Sequence, residues 1–332
     1  MKLLSKQIVQ SAVVGVVLPA LLVAVVMSVS AHQQEAAPTR PGTKVTLPKP
    51  DTQPTQPQQP LFLPVLHQGQ TENMDIEEYL VGVLLAEVPA SFEAEALKAQ
   101  AVAARTYALK CHQQGYKHAG AVCTEYACCQ GYLSDAEYLE RKGTQADVEK
   151  IRRAVADTEG QVLVYDGKLI VATYFACSGG STEDAAAVWG QSYPYLQAVE
   201  SPGEEDCAYY THQITLTPEQ MCTLLDLSPE QLPENWIGDI SYTVGGGVDT
   251  MDIGGSLYQG TALRTLLGLR STAFTVTFSE GVFVFETLGY GHRVGMSQYG
   301  ADAMAVGGND YQQILQHYYQ GTEIVQYHQT IL

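Results

Sequence analysis

Apolar residues recur at helical spacing from Ile76 onward, and they predict a helix over residues 76–88. Ile76, Leu80, Val83 and Glu87 are four, three and four residues apart. At about 100° per residue they share a sector of roughly 60°, which sets one acid within an apolar stripe. A second helix is expected over 92–113, where Ala94, Ala101, Ala104 and Ala108 fall near one face and let a neighbouring element approach closely. "TPEQ" (217–220) and "SPEQ" (228–231) each read as a helix start, with a hydroxyl N-cap, Pro at the first helical position and Gln at the third. Alternation changes to strand character in "GQVLVYDGKLIVATYF" (160–175), whose Asp166-Gly167 predicts a hairpin turn. "AFTVTF" and "GVFVFETL" predict another hairpin. Helices and hairpins mix without regular βα alternation, so the expected fold class is α+β.

The N-terminus follows another pattern. Lys2 and Lys6 precede an uncharged stretch over 8–30, long enough to cross a bilayer. The basic flank predicts residues 1–7 inside and the remainder outside. A cleaved signal peptide is the alternative, with "VSA" (29–31) as its cleavage site. The length of the apolar run favours an uncleaved anchor. Eight prolines over 38–64, among Gln, Thr and Lys, predict an extended spacer. The expected organisation is therefore a transmembrane anchor at 8–30, a linker at 31–64 and an extracytoplasmic domain at 65–332.

Composition narrows the partners. Hydrophobic residues make up 45% of the 332-residue chain, enough for a sizeable core. Eighteen basic against 36 acidic residues leave a formal charge of −18. That argues against nucleic acid, whose affinity comes largely from Lys and Arg on phosphates, and leaves neutral polysaccharide open.

Three groups of residues carry candidate chemistry. Glu87 faces packing, so desolvation should raise its pKa, as a general acid requires. The alternative is a structural ion pair, with Arg105 on the next helix as partner. His118, Cys123, Cys128 and Cys129 form H-x4-C-x4-C-C, a donor set suited to tetrahedral Zn²⁺, with Cys111 and His112 in reserve. An extracytoplasmic disulfide pair or free thiols are the alternative there, and Cys177 and Cys207 could also pair. Ser178-Gly179-Gly180 and the "GHRVGMSQYGADAMA" loop (291–305) offer backbone N–H groups to sugar hydroxyls, or are ordinary turns. Neither loop has the sequence of a phosphate loop or a serine nucleophile elbow.

Five segments, in this order, resemble the stage II sporulation protein D family: "VGVLLAEVPASFEAEALKAQAVAARTYAL", "YFACSGGSTEDAAAVWG", "PYLQAVESP", "LRTLLGLRSTAFTV" and "GHRVGMSQYGADAMA". The resemblance spans roughly residues 72–327. It implies a membrane-anchored lytic transglycosylase that cleaves peptidoglycan during engulfment in endospore formers. The glycan would be stripped of stem peptides by sporulation protein P, an amidase/endopeptidase, in assembly with membrane protein M. The family's acid in E-V-P falls on Glu87, and its metal-binding loop on 118–129. Arg293 departs from the glycine frequent at that place. The expected sugar contacts are Arg105, Tyr107, Ser178, Gly179, Gly180, His292, Ser297, Gln298 and Tyr299. A related branch, the amidase enhancers, supplies the alternative of a glycan-binding module without catalysis. A zinc hydrolase is a third reading, and it would need an open metal position.

Overall fold

The structure, a computed structural model, describes residues 60–115 and 118–327. The anchor expected over 8–30 and the linker as far as residue 59 lie outside these residues. Among the described residues no helix is long and apolar enough to cross a membrane.

The chain enters through strand β1 (Phe62–His67), three residues before the expected domain boundary. It turns back as β2 (Gln70–Asp75), and a short strand β3 (Val122–Cys123) pairs parallel to the other side of β1. β3 meets β1 only at Val65 and Leu66, so Pro64 in β1 withholds no ladder donor from it.

Asp75 caps helix α1 (Ile76–Glu87), accepting from the Glu77 and Glu78 amides. α1 is buried on nearly every side, at Ile76, Tyr79, Leu80, Val81, Gly82, Val83, Leu84 and Leu85. The expected apolar stripe is thus a full apolar cylinder, as befits a helix inside a core. Helix α2 (Ala94–Gln114) runs through the middle of that core. It packs on α1, on the Gln145–Asp157, Gln298–Val306 and Tyr311–Tyr318 helices, and on the Gln161–Tyr165 strand. Ala99, Ala101, Ala103, Ala104 and Ala108 are fully buried, and their small side chains permit this crowding.

Residues 211–288 build a second core around Met221, Trp236, Met251, Phe283 and Phe285. The Phe274–Ser279 and Val282–Leu288 hairpin forms as expected and adds Thr211–Leu216 as a third strand. Thr217 caps Pro218–Leu225 with a full capping box. "SPEQ" starts no α-helix, only a 3-10 turn at Pro233–Asn235. Pro233 follows too soon, removing a helical donor and clashing with the preceding turn. The Asp166-Gly167 turn forms with φ of 48° and 70° between Gln161–Tyr165 and Lys168–Leu169. The fold is α+β.

Tyr174–Phe175 pairs parallel with Met296–Ser297, which sets the two glycine-rich loops side by side. Gly179 needs to be glycine twice over. Its φ is +72°, and a Cβ there would lie 2.7 Å from the Gly289 nitrogen.

Candidate functional site

Glu87 is the last residue of α1, half-buried between exposed Ala86 and Pro89. The Gly131 N–H donates to its Oε1 at 2.6 Å. Burial raises its pKa, and the Gly131 amide and the Gln298 side chain oppose the rise. Gln298 lies near enough to favour the carboxylate, yet its Nε2 makes no well-formed hydrogen bond and is buried without a partner. A carboxylate at a helix C-terminus also faces the negative end of the helix dipole, which again favours the protonated form. No second carboxylate among the described residues contributes to the Glu87 shift.

Phenols and amides line the neighbourhood. Gln130 Nε2 donates to the Tyr174 hydroxyl at 2.8 Å, and the Tyr79 hydroxyl donates to Gln130 Oε1 at 3.3 Å. Burial raises the pKa of both tyrosines, and the Glu87 charge adds to the rise. Tyr174 therefore stays protonated beside Glu87. Tyr107 acts on Tyr174 from α2. Gly131, Gln130, Tyr174 and Tyr79 were not among the expected site residues. The only sequence signal was Gln130-Gly131 directly after the cysteine cluster.

Arg105 is not part of this site and is not the partner of Glu87. It is 1% exposed and forks onto Glu77, Nε to Oε1 at 2.9 Å, while Nη1 donates to the Gln161 carbonyl at 3.1 Å. Glu78, the other acid of the first turn of α1, pairs with Arg152.

The glycine loops also turn inward. The amides of Ser178 (2.6 Å) and Gly179 (3.3 Å) and the Cys177 thiol (3.0 Å) all donate to Glu204 Oε2. The hydroxyls of Ser178 (2.9 Å) and Ser201 (2.5 Å) donate to Oε1. The Gly180 amide donates to Ser178 Oγ. Ser178 and Gly179 thus hold an internal carboxylate in place of the expected sugar, and Gly180 braces Ser178. Ser297 is buried and caps the Gln298–Val306 helix, accepting from the Gly300 amide.

Arg293 has φ of +63° and is 2% exposed. It donates to Glu183 Oε1 (2.9 Å) and to the carbonyls of Ser178, Ser181 and Gly245. Glu183 further accepts from the Thr243 hydroxyl and the Gly247 amide. Arg293 and Glu183 therefore bolt the second core to the first. Asp184 caps the Ala185–Trp189 helix. Glu183 and Asp184 are thus both committed to structure.

His292 sits between Phe175 (5.6 Å) and Trp189 (5.4 Å), and its Nδ1 accepts from the Val294 amide. Burial, aided by the charge of Arg264, lowers its pKa to about 4, so it is neutral near pH 7. Tyr299 meets Phe92 edge-on at 5.0 Å and Tyr209 at 5.8 Å.

His118, Cys123, Cys128 and Cys129 converge, their ligand atoms all within 4.8 Å of one another. Without a cation the thiols oppose one another's ionisation. Cys129 is pushed up to about 12, by burial first and then by its interactions with Cys123 and Cys128. A soft divalent cation would reverse that, since it binds thiolate. His112 Nδ1 donates to the Gly120 carbonyl at 2.7 Å and so braces the loop.

A helix-end carboxylate with a raised pKa, set in a partly exposed polar site beside a thiol-rich loop, defines a class of site. The sequence profile described as Stage II sporulation protein matches residues 67–165. Stage II sporulation protein D of Bacillus amyloliquefaciens is 35% identical over 280 residues, covering 82% of this chain and 81% of that protein. Its Bacillus subtilis counterpart is 36% identical, covering 80% and 79%. An amidase enhancer of Bacillus subtilis is 30% identical, covering 75% of this chain and 40% of the enhancer. The chain belongs to the stage II sporulation protein D family.

Proposed function

We propose that the chain is a peptidoglycan lytic transglycosylase in which Glu87 serves as acid and then base. The observation that supports this most is the raised-pKa carboxylate of Glu87, with amides and phenols around it and no second acid acting on it. Hydrolytic glycosidases ordinarily use two carboxylates. Intramolecular transfer needs one. Protonated Glu87 gives its proton to the oxygen between MurNAc and GlcNAc as that bond breaks. The resulting carboxylate then takes the proton of the MurNAc C6 hydroxyl, and O6 closes on C1. No water is consumed, and Glu87 ends protonated. Acid–base help of this kind contributes typically ~10²–10⁴-fold. Gln298 and Tyr174 are the polar groups placed to support charge that develops in the transition state.

The His–Cys₃ quartet suits a closed structural Zn²⁺ site held by His118, Cys123, Cys128 and Cys129. With four protein donors it leaves no open position, which disfavours a zinc hydrolase. The zinc would supply cross-linking of the loop that presents Gln130 and Gly131 to Glu87. Peptide-free glycan as substrate, sporulation protein P and membrane protein M as partners, and an extracytoplasmic location complete the proposal.

The similarity to an amidase enhancer supports a second reading, a glycan-binding module without catalysis. Glycan incubated with wild-type chain separates the two. Fragments ending in 1,6-anhydroMurNAc favour the enzyme, and retention of intact glycan favours the module.

A further inference from the structure

Beyond Tyr299 lies a surface where aromatic rings and unpaired positive charge coincide. Tyr209 stacks on Tyr290, with centroids 5.5 Å apart and planes at 25°. The Arg270 guanidinium lies 5.8 Å from the Tyr209 centroid and 5.6 Å from that of Tyr290. The two rings remain 38% and 44% exposed, so they are not core. Arg264 joins them, its Nε donating to the Arg270 carbonyl, and its charge reaches His292. Each step from Tyr299 to Tyr209, to Tyr290, to Arg270 is shorter than 6 Å. The patch is therefore continuous with Tyr299, the neighbour in sequence of Gln298 beside Glu87.

What sets this patch apart is cationic charge held against exposed aromatic rings. Arg105, Arg152 and Arg293 each face an acid. Arg264 and Arg270 have no ion-pair partner among the described residues, although the chain carries −18. Cation–π contact holds the Arg270 guanidinium over the rings, so little ordering remains when it meets a ligand. Tyrosine faces accept the C–H faces of sugars. A neutral sugar has no use for two arginines, and on a chain of net charge −18 a local cationic patch is where an anionic sugar escapes repulsion. The combination selects a sugar that bears a carboxylate.

In a peptidoglycan strand, the lactyl group of a muramoyl residue ends in a free carboxylate only where its stem peptide is missing. With peptide attached, the same carbon is an uncharged amide. We propose that Tyr209, Tyr290, Arg264 and Arg270 form a distal sugar subsite that reads the free lactyl carboxylate of a peptide-free muramoyl residue. This rests on the glycan-cleaving reading of the Glu87 site and assigns to it a basis for choosing peptide-free strands.

The test is binding, measured with the full chain as Glu87→Gln so that ligand is not consumed. The probes are peptide-free glycan strands and the same strands with their lactyl carboxylates methyl-esterified. Arg270→Gln in that background should weaken binding of the acid form by about tenfold or more and leave the ester unchanged. Added salt should weaken the acid form only. Arg264→Gln, with its melting temperature checked against the parent, should shift binding in the same direction. Equal loss on acid and ester, or no loss from either variant, overturns the subsite. Absence of all glycan binding overturns it together with the glycan reading. Charge-selective binding by a chain that does not cleave would leave the subsite standing and remove only the transglycosylase.

Discussion

At the residue scale, the protonation of Glu87 decides the chemistry. Burial holds the Glu87 proton above the ordinary glutamate range, so the general-acid form persists to higher pH than an exposed glutamate would allow. The cleavage rate should therefore fall as pH rises through that raised pKa, and the pH profile of single-turnover cleavage checks it. The same shift bears on stability. A folded-state pKa above the unfolded value gives stability that is complete at low pH and lost as pH rises through the folded pKa. Glu87→Gln keeps the acceptor for the Gly131 amide and removes the charge. It should melt no lower than wild type at neutral pH, with any gain vanishing below the unfolded glutamate pKa. Glu183 differs in kind. Glu183→Gln leaves the Arg293 guanidinium buried and unpaired, and such losses cost about 3–5 kcal/mol. Urea unfolding should show that loss; an unchanged midpoint would refute the structural role given to this pair.

At the scale of elements, the loop of residues 118–133 carries the site as much as α1 does. Its Gly131 touches Glu87, and a Cβ there would stand 3.1 Å from Glu87 Oε1 and 3.3 Å from the Ala86 Cβ. Gly131→Ala should leave the fold intact and lower cleavage by about tenfold to a hundredfold, because small displacements of reacting groups are that costly. Circular dichroism beside rate measurements checks both halves. The quartet should bind one Zn²⁺, and Cys123→Ser should reduce metal content, melting temperature and cleavage together; elemental analysis beside calorimetry decides this. Much of this was legible in the sequence. The helices around Glu87 and the hairpin turns showed in periodicity and turn residues, and the four metal donors fall within twelve residues. The glycine loops were misread for a physical reason. Glycine-rich backbone offers N–H groups to any anion, and sequence does not say that the anion is Glu204, more than twenty residues away. Arg105 was misplaced likewise, since Glu77 and Glu87 both belong to one helix and only packing decides between them.

At the scale of the molecule, two cores meet at Arg293 and Glu183, and the surface near that seam carries Tyr209, Tyr290 and the two unpaired arginines. Loops that were expected to hold sugar instead hold the lobes together. The exposed aromatic rings beyond Tyr299 are the surface proposed above to take the glycan. Under the proposed function, such an arrangement would bind along a strand and cut at one end of the contact. The most direct test is mass spectrometry of products from peptide-free glycan, wild type against Glu87→Gln. A lytic transglycosylase acting through Glu87 should give fragments one water lighter than hydrolysis products, ending in 1,6-anhydroMurNAc, and none from the variant. Reducing MurNAc ends alone, or undiminished cleavage by Glu87→Gln, would contradict it.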